Sequence, residues 1–261
     1  MLRLATWNVN SIRVRLPLLE KLANEEHLDV ICLQEVKAKE EDFPFEEMRR
    51  LGFDYVALYG MPGYNGVAIL SRLPLEKVEK YDHVGKSDAR HISACIKGIE
   101  IHNIYIPAGG DLPDAEINPS FRHKLDFVDE LADFFAGESG KKLLLCGDFN
   151  IAPSENDVWS HKALLQTVSH TPIEVEKLQN FFKKGKFEDA VRHIYNEPQK
   201  IYSWWSYRNP NWQTNNKGRR LDHIWVSKDI ADNIDNVYIK KDFRAQERPS
   251  DHTPVIMTLK F

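Results

Sequence analysis

Short apolar runs that stop abruptly at oxygen-bearing side chains recur along this chain, and they limit its possible folds more than any other feature. In LLLCGDFN, residues 143–150, an apolar run and a glycine lead to Asp148 and Asn150. Residues i and i+2 of an extended chain share a face, so both groups are expected to stand together where a buried strand runs out. Read alone, the pair would equally make a local turn, since Asp and Asn favour such places. The construction recurs, however: WNVN ends at Asn8 and Asn10, DVICLQE at Gln34 and Glu35, and NIYIP carries Tyr105. Asp222 opens the run LDHIWVS, and Asp251 with His252 precede TPVIMTLKF. Strand ends gathered at one edge of a layered structure would bring these groups into one cleft.

The segments between the runs set the layers. RLPLLEKLANEE, with an early Pro17, has helical spacing and joins the first two runs as a β-α-β unit. FPFEEMRRLG reads as a helix closed by Gly52; FDYVALY and GVAILSR follow as a hairpin across GMPGYN. RHISACIKG and IEIHNIYIP form a second pair with a tight turn at Gly98, and NPSFRHKLDFVDELADFFAG is helical. The second half reads as loop and helix to about Lys184, then FEDAVRHIY, a polar aromatic loop IYSWWSYRNPNWQTNNKGRR, and three closing strands. Hairpins mixed with helices argue for an α/β layered protein with mixed or antiparallel sheets, not a purely parallel one. No composition shift divides the chain, so residues 1–261 are expected to form a single domain.

Composition narrows the partners. Hydrophobic residues make up 42% and charged residues 28% of the chain, as in a soluble globular protein, and neither an N-terminal signal pattern nor a membrane-length apolar run is visible. A cytoplasmic location is expected. Cys32, Cys95 and Cys146 lie far apart in strand-like runs and read as reduced core residues. The net charge of −4 gives no global pull toward nucleic acid, so a phosphate partner must be held locally. RHK, KKGK and NKGRR are candidate basic patches.

Three carboxylates drawn together repel unless a cation sits among them, and an all-oxygen set without paired Cys suits Mg²⁺ or Mn²⁺ far better than zinc. Such a site suits phosphoryl chemistry.

In order and spacing, TWNVNSIR, LQEVK, GYNGVAILSR, DARHI, NIYIPAGG, GDFNIAP, YSWWSYR, RRLDHIWVS and RPSDHTPV resemble the bacterial exonuclease III group of abasic-site endonucleases, within the endonuclease-exonuclease-phosphatase superfamily. The resemblance spans nearly the whole chain. It implies a four-layer α/β sandwich of two packed mixed or antiparallel sheets flanked by helices, with the site at one edge. It implies a Mg²⁺-dependent DNA repair nuclease, Mn²⁺ being able to substitute, that acts as a monomer on duplex DNA at 3′ ends and 5′ to abasic sites. By resemblance Glu35 is the principal metal ligand, with Asn8 beside it and Asp251 in or near the shell; Asp148, Asn150 and His252 border the same ion. Asp148 orients or deprotonates the attacking water, Asn150 holds it or the phosphate oxygens, His252 faces the scissile phosphate, Asp222 pairs with His252, and Tyr105 stands near the phosphate. Tyr64, Arg90 and Lys124 match segments lining the DNA backbone, and Trp204 the aromatic that packs on the sugar.

Other readings stay open from the residues. Asp222 could form a buried salt bridge with Arg219 or Arg220, whereas His223 points to the opposite face. Trp204 and Trp205 could be core. His91, His102 and His170 read as surface or satisfied core. LLQTVSHTPI, residues 164–173, departs from the family's more usual Gly-Phe form, which leaves the abasic preference open. The rival functions are a phosphodiesterase or phosphatase of the same superfamily acting on inositol phosphates or phospholipids, and a catalytically silent binding regulator. The second should have lost part of the polar set, which is complete here.

Overall fold

A computed structural model describes residues 1–138 and 140–260. Among the described residues, twelve strands form two six-stranded sheets. They are β1 (Leu2–Asn8), β2 (Val30–Gln34), β3 (Tyr55–Tyr59), β4 (Val67–Ser71), β5 (Glu76–Tyr81), β6 (His91–Ile96), β7 (Ile99–Tyr105), β8 (Leu143–Asp148), β9 (Phe187–Asp189), β10 (Asp222–Ser227), β11 (Ile234–Ile239) and β12 (Val255–Leu259). The first sheet runs β11-β12-β1-β2-β4-β3 and the second β5-β6-β7-β8-β10-β9. Both are mixed: β1 with β2 and β7 with β8 are parallel, and the other pairs antiparallel.

Helices α1 (Ile12–Glu26) and α2 (Phe45–Arg50) cover the outer face of the first sheet, where Leu19 and Leu22 pack with Trp7, Ile31 and Leu70. Helices α3 (Pro119–Ala136) and α5 (Pro172–Lys184), with the short α4 (His161–Leu164) between them in sequence, belong to the second sheet's side. There Phe127, Leu131, Phe135, Leu178 and Phe181 close over Leu145, Phe149 and Trp225. The four layers match the expected sandwich. No helix among the described residues is long and apolar enough to cross a membrane.

Between the sheets lies the core that positions the site. Its alternating residues read Leu2, Leu4, Thr6, Asn8 on β1 and Val30, Cys32, Gln34 on β2. On the facing sheet they read Ile99, Ile101, Asn103, Tyr105 on β7 and Leu144, Cys146, Asp148 on β8. Each series begins apolar and turns polar at its C-terminal end. Parallel pairing puts those ends at one edge, and antiparallel β10 adds its first residue there, Asp222, directly opposite Asp148. Just beneath the site the sheets are joined by a buried bond from Gln34 Nε2 to Asn103 Oδ1 at 2.6 Å. Gly147 fits this packing because it has no side chain: with φ at 144°, a Cβ there would lie 1.8 Å from the Ile104 carbonyl oxygen.

Two elements differ from the sequence reading. Helix α1 begins at Ile12, so Pro17 stands in its second turn and not at its start. The early start is secured from outside the helix, as Ser11 and Ile12 donate their N–H groups to the carbonyls of Glu35 and Val36. Strand β5 lies outside the runs that the sequence pattern marks as strands. It is an exposed edge with a single half-buried residue, so EKVEKY carries no apolar alternation to reveal it.

Candidate active site

Asn8 ends β1 fully buried and donates Nδ2 to two carboxylates, Glu35 Oε1 and Asp148 Oδ2, each at 2.9 Å. Its Oδ1 accepts the N–H of Asn10. Asn8 therefore clamps the two sheets' acids through Nδ2, while its Oδ1, with one lone pair taken by the turn, keeps a second for an ion. Glu35 follows β2 with φ at 50°, a left-handed kink that ends the strand's alternation. Its carboxylate accepts the Tyr105 hydroxyl at 2.8 Å and pairs with Lys37 at 2.8 Å. Burial acts to raise the Glu35 pKa, but hydrogen bonds from Asn8, Lys37 and Tyr105 prevail and hold it below the ordinary value.

Asp148 is buried at the end of β8, with Tyr105 and Asp222 beside it in register. Burial and the charges of Asp222 and Glu35 push its pKa up to about 7, against the pull of His252 and Asn8. It also accepts the Asn150 N–H at 2.9 Å, and Asn150, at φ 53°, turns its own Nδ2 to the Ile106 carbonyl at 2.9 Å and to Asp148 at 3.2 Å. The turn and the site are thus one structure: Asp148 caps the turn that swings Asn150 into the pocket.

His252 lies before β12. Its Nδ1 meets Asp222 Oδ2 at 2.9 Å, and Nε2 stands 3.5 Å from Asp148. Asp222 also accepts the Ser203 hydroxyl at 2.6 Å. Burial opposes charge on the ring, yet Asp222 and Asp148 raise His252 to about 10. The salt-bridge alternative for Asp222 is not taken up: Arg220 binds Asp157 and Asp189, and Arg219 turns to Val168 and Ser169. His223 faces away, bonded to the Ile151 carbonyl.

Glu35, Tyr105, Asp148, Asn150, Trp204, Asp251 and His252 all line one pocket of about 790 Å³. Trp204 donates Nε1 to Asp251 at 2.9 Å. Oxygen donors predominate, and Asp148, Asp222 and His252 bring potential ligand atoms within 4.8 Å of one another, although the ring that Asp222 keeps charged has no lone pair for an ion, which speaks against the ligand role expected of His252. A hard divalent cation fits this set, since it would offset the like charge that raises Asp148.

Of the residues expected along DNA, Tyr64 is 58% exposed on the loop between β3 and β4. Arg90 is bonded to Asp88 and lies over the Tyr105 ring, 4.7 Å from its centroid, so it braces the phenol from behind. Lys124 requires correction. It is fully buried, paired with Glu174, and donates to the carbonyls of Ala108 and Asn150, so it shapes the Asn150 loop from within and has no surface to offer a backbone. The helical face that carries Phe121, Leu125 and Val128 turns Lys124 inward as well. Sequence reasoning missed Lys37, although it stands two residues after Glu35 in LQEVK, and Ser203, for which no signal existed.

The histidines given the plain reading keep it. His83, His91 and His102 form a hydrogen-bonded row at 2.8 Å spacings against Phe134 and Phe135, and His170 bonds His161 and the Ala152 carbonyl.

A two-sheet sandwich whose core ends in carboxylates, carboxamides and one imidazole defines a phosphoester hydrolase. The chain belongs to the Endonuclease/Exonuclease/phosphatase family, whose model matches residues 5–252. It is 31% identical to exodeoxyribonuclease III of Haemophilus influenzae, over 97% of this chain and 98% of that one. Among solved structures it resembles an AP endonuclease from Archaeoglobus fulgidus (30% identity, TM-score 0.93, both chains fully covered). It equally resembles the 3′-5′ exonuclease NExo from Neisseria meningitidis (32% identity, TM-score 0.92, both chains fully covered).

Proposed function

We propose that this DNA repair nuclease hydrolyses phosphodiesters at the 3′ ends of duplex DNA and 5′ to abasic sites, using Mg²⁺. The carrying observation is the convergence of Glu35, Asp148, Asn150, Asp251 and His252 on one pocket in a chain that matches exonuclease III-type enzymes over its full length. A Neisseria relative described as a 3′ phosphatase has been solved with a product DNA hairpin, which supports a DNA substrate over an inositol phosphate or a lipid. The complete polar set gives no support to a silent regulator.

Glu35 and Asp251, with Asp148 and Asn150 adjoining, would hold the ion, and Asn8 and Lys37 fix the Glu35 carboxylate. Bound there, Mg²⁺ supplies charge that screens the phosphate. Asp148, in the pocket wall between His252 and Asn150, is placed to orient a water and take its proton. The charged His252 ring, held by Asp222, turns Nε2 toward the position of the phosphate and stabilises the oxygen charge that grows there. Tyr105 and Asn150 orient groups around it.

One gel tests this proposal. An abasic duplex and an intact 3′-recessed duplex are offered to the protein with Mg²⁺ and with chelator, and the ends produced are identified. Metal-dependent cutting of both is expected, and no cleavage of either would sink the proposal.

A further inference from the structure

We propose that Lys124 and Glu174 are positioning residues of the reaction: buried behind the pocket, the pair sets three loops that line it and acts on turnover through Asn150. This rests on the nuclease reading above and extends it to side chains that touch neither DNA nor an ion.

The three loops come from distant parts of the chain. One follows β7 (residues 106–110), one follows β8 (residues 149–153) and one precedes α5 (residues 167–171). Ala108 and Gly110 from the first, Asn150 from the second, and Val168 and Ser169 from the third line the pocket. Each loop turns through a left-handed residue, Gly109 at φ 88°, Asn150 at φ 53° and Ser169 at φ 89°. In a residue other than glycine such a turn is costly and persists only where the surroundings hold it. All three loops meet the buried pair. Lys124 Nζ donates to the Asn150 carbonyl at 2.8 Å, to the Ala108 carbonyl at 3.2 Å and to Glu174 Oε1 at 2.5 Å. That uses all three ammonium donors. Glu174 accepts the Ser169 N–H through both oxygens at 2.9 Å. Gly109 lies so close that a Cβ there would stand 2.9 Å from Lys124 Cδ.

Both side chains are fully buried, and an ion pair in such a place contributes little net stability over apolar residues of the same shape. Its use lies in the loops. The carbonyls of Ala108 and Asn150 converge on one ammonium, and an apolar side chain in its place would take a donor from each. Asn150 carries that carbonyl and the amide that enters the pocket, whose Nδ2 is bonded to the Ile106 carbonyl and to Asp148. A shift of the carbonyl therefore moves the amide against Asp148, and a displacement of about 1 Å at a reacting group can lower a rate by about 10²-fold. The Ser169 carbonyl accepts the Ala152 N–H at 2.8 Å, so the Glu174 half of the pair reaches the same loop from its far end.

A purely structural role is the competing explanation, since Glu174 also closes a capping box with Thr171 at the start of α5. A cycle with Asn150→Ala separates the two, in the full chain with Mg²⁺. Single-turnover rates on a duplex with a tetrahydrofuran abasic site are measured over a range of protein concentrations, below the midpoint of each variant's melting curve. Lys124→Met with Glu174→Gln removes both charges together. It should lower the saturating rate by about 10–100-fold and leave the half-saturating concentration within about twofold. On the Asn150→Ala background the same change should cost less than about twofold, because the residue it acts through is gone. Gly109→Ala presses a methyl group on Lys124, keeps both charges, and carries the test alone if the double variant does not fold. It should lower the rate about threefold or more in the wild type and not in Asn150→Ala. A fall of equal size on both backgrounds, or a wild-type rate in these variants, overturns the proposal and leaves the nuclease reading intact. A wild type that cuts nothing overturns both.

Discussion

His252 and Asp222 meet at 2.9 Å, Nδ1 to Oδ2, while the other ring nitrogen faces Asp148. Because both residues are buried, the pair fixes the ring's orientation and its charge together. Asp222→Asn keeps the shape and removes the charge. We expect kcat to fall by about 10²–10⁴-fold with little change in melting temperature. In an NMR titration, the His252 resonance should move from about 10 toward the ordinary histidine value near 6.5. A wild-type pKa in the variant would show that Asp222 does not hold the charge.

Asp148 serves as both turn cap and candidate base, and Asp148→Asn separates the roles. The amide still accepts the Asn150 N–H but cannot take a proton. Turnover should drop by about 10²–10⁴-fold, and the melting temperature should fall only modestly, since the new NH2 meets the Asn8 and Asn150 donors but a buried charge beside Asp222 is removed. The reverse result, lower stability with turnover spared, would leave only the cap.

Mg²⁺ should stabilise the folded chain by mass action, by about 2.7 kcal/mol at a hundred times its dissociation constant. Differential scanning calorimetry with and without chelator measures the shift. Glu35→Ala should abolish most of it together with turnover; an undiminished shift would place the ion elsewhere.

Lys124 and Glu174 form a fully buried pair. Lys124→Met removes the cation from Glu174, leaving it only the Ser169 and Thr171 donors, and should cost about 3–5 kcal/mol in urea unfolding. Adding Glu174→Gln should recover much of that loss. A cost below about 1 kcal/mol, the range of surface pairs, would contradict the burial.

His223 is held neutral by burial and by Arg220, its pKa depressed from 6.5 to about 4. The unfolded chain takes up a proton below about 6.5 and the folded chain does not until about 4, so stability present above 6.5 is lost as pH falls through that window. The loss is roughly 3 kcal/mol at 1.36 kcal/mol per pKa unit. His223→Gln should flatten the stability profile between these limits; an unchanged slope would assign the proton uptake to other groups, such as the buried His91.

The site was legible where residues sit on strands with a dry face. Asp148 and Asp222 could be read because apolar neighbours at i±2, Cys146 and Ile224, declare which face is buried. Strand β5, exposed at an edge, had no such contrast. Lys124 misled for the opposite reason: a cation within RHK resembles surface, and only Glu174, fifty residues on, reveals the charge that pays for its burial.

The chain's local pattern therefore determined the layers, the strand ends and the types of donor at each, because pleat and helical periodicity act over a few residues. Tertiary structure alone decided which donors meet. Whether Asn8 offers its nitrogen or its oxygen, whether Asp222 binds His252 or an arginine, and where the Arg219 guanidinium lies all depend on partners distant in sequence. Those pairings follow from sheet register and loop packing, which no local pattern encodes.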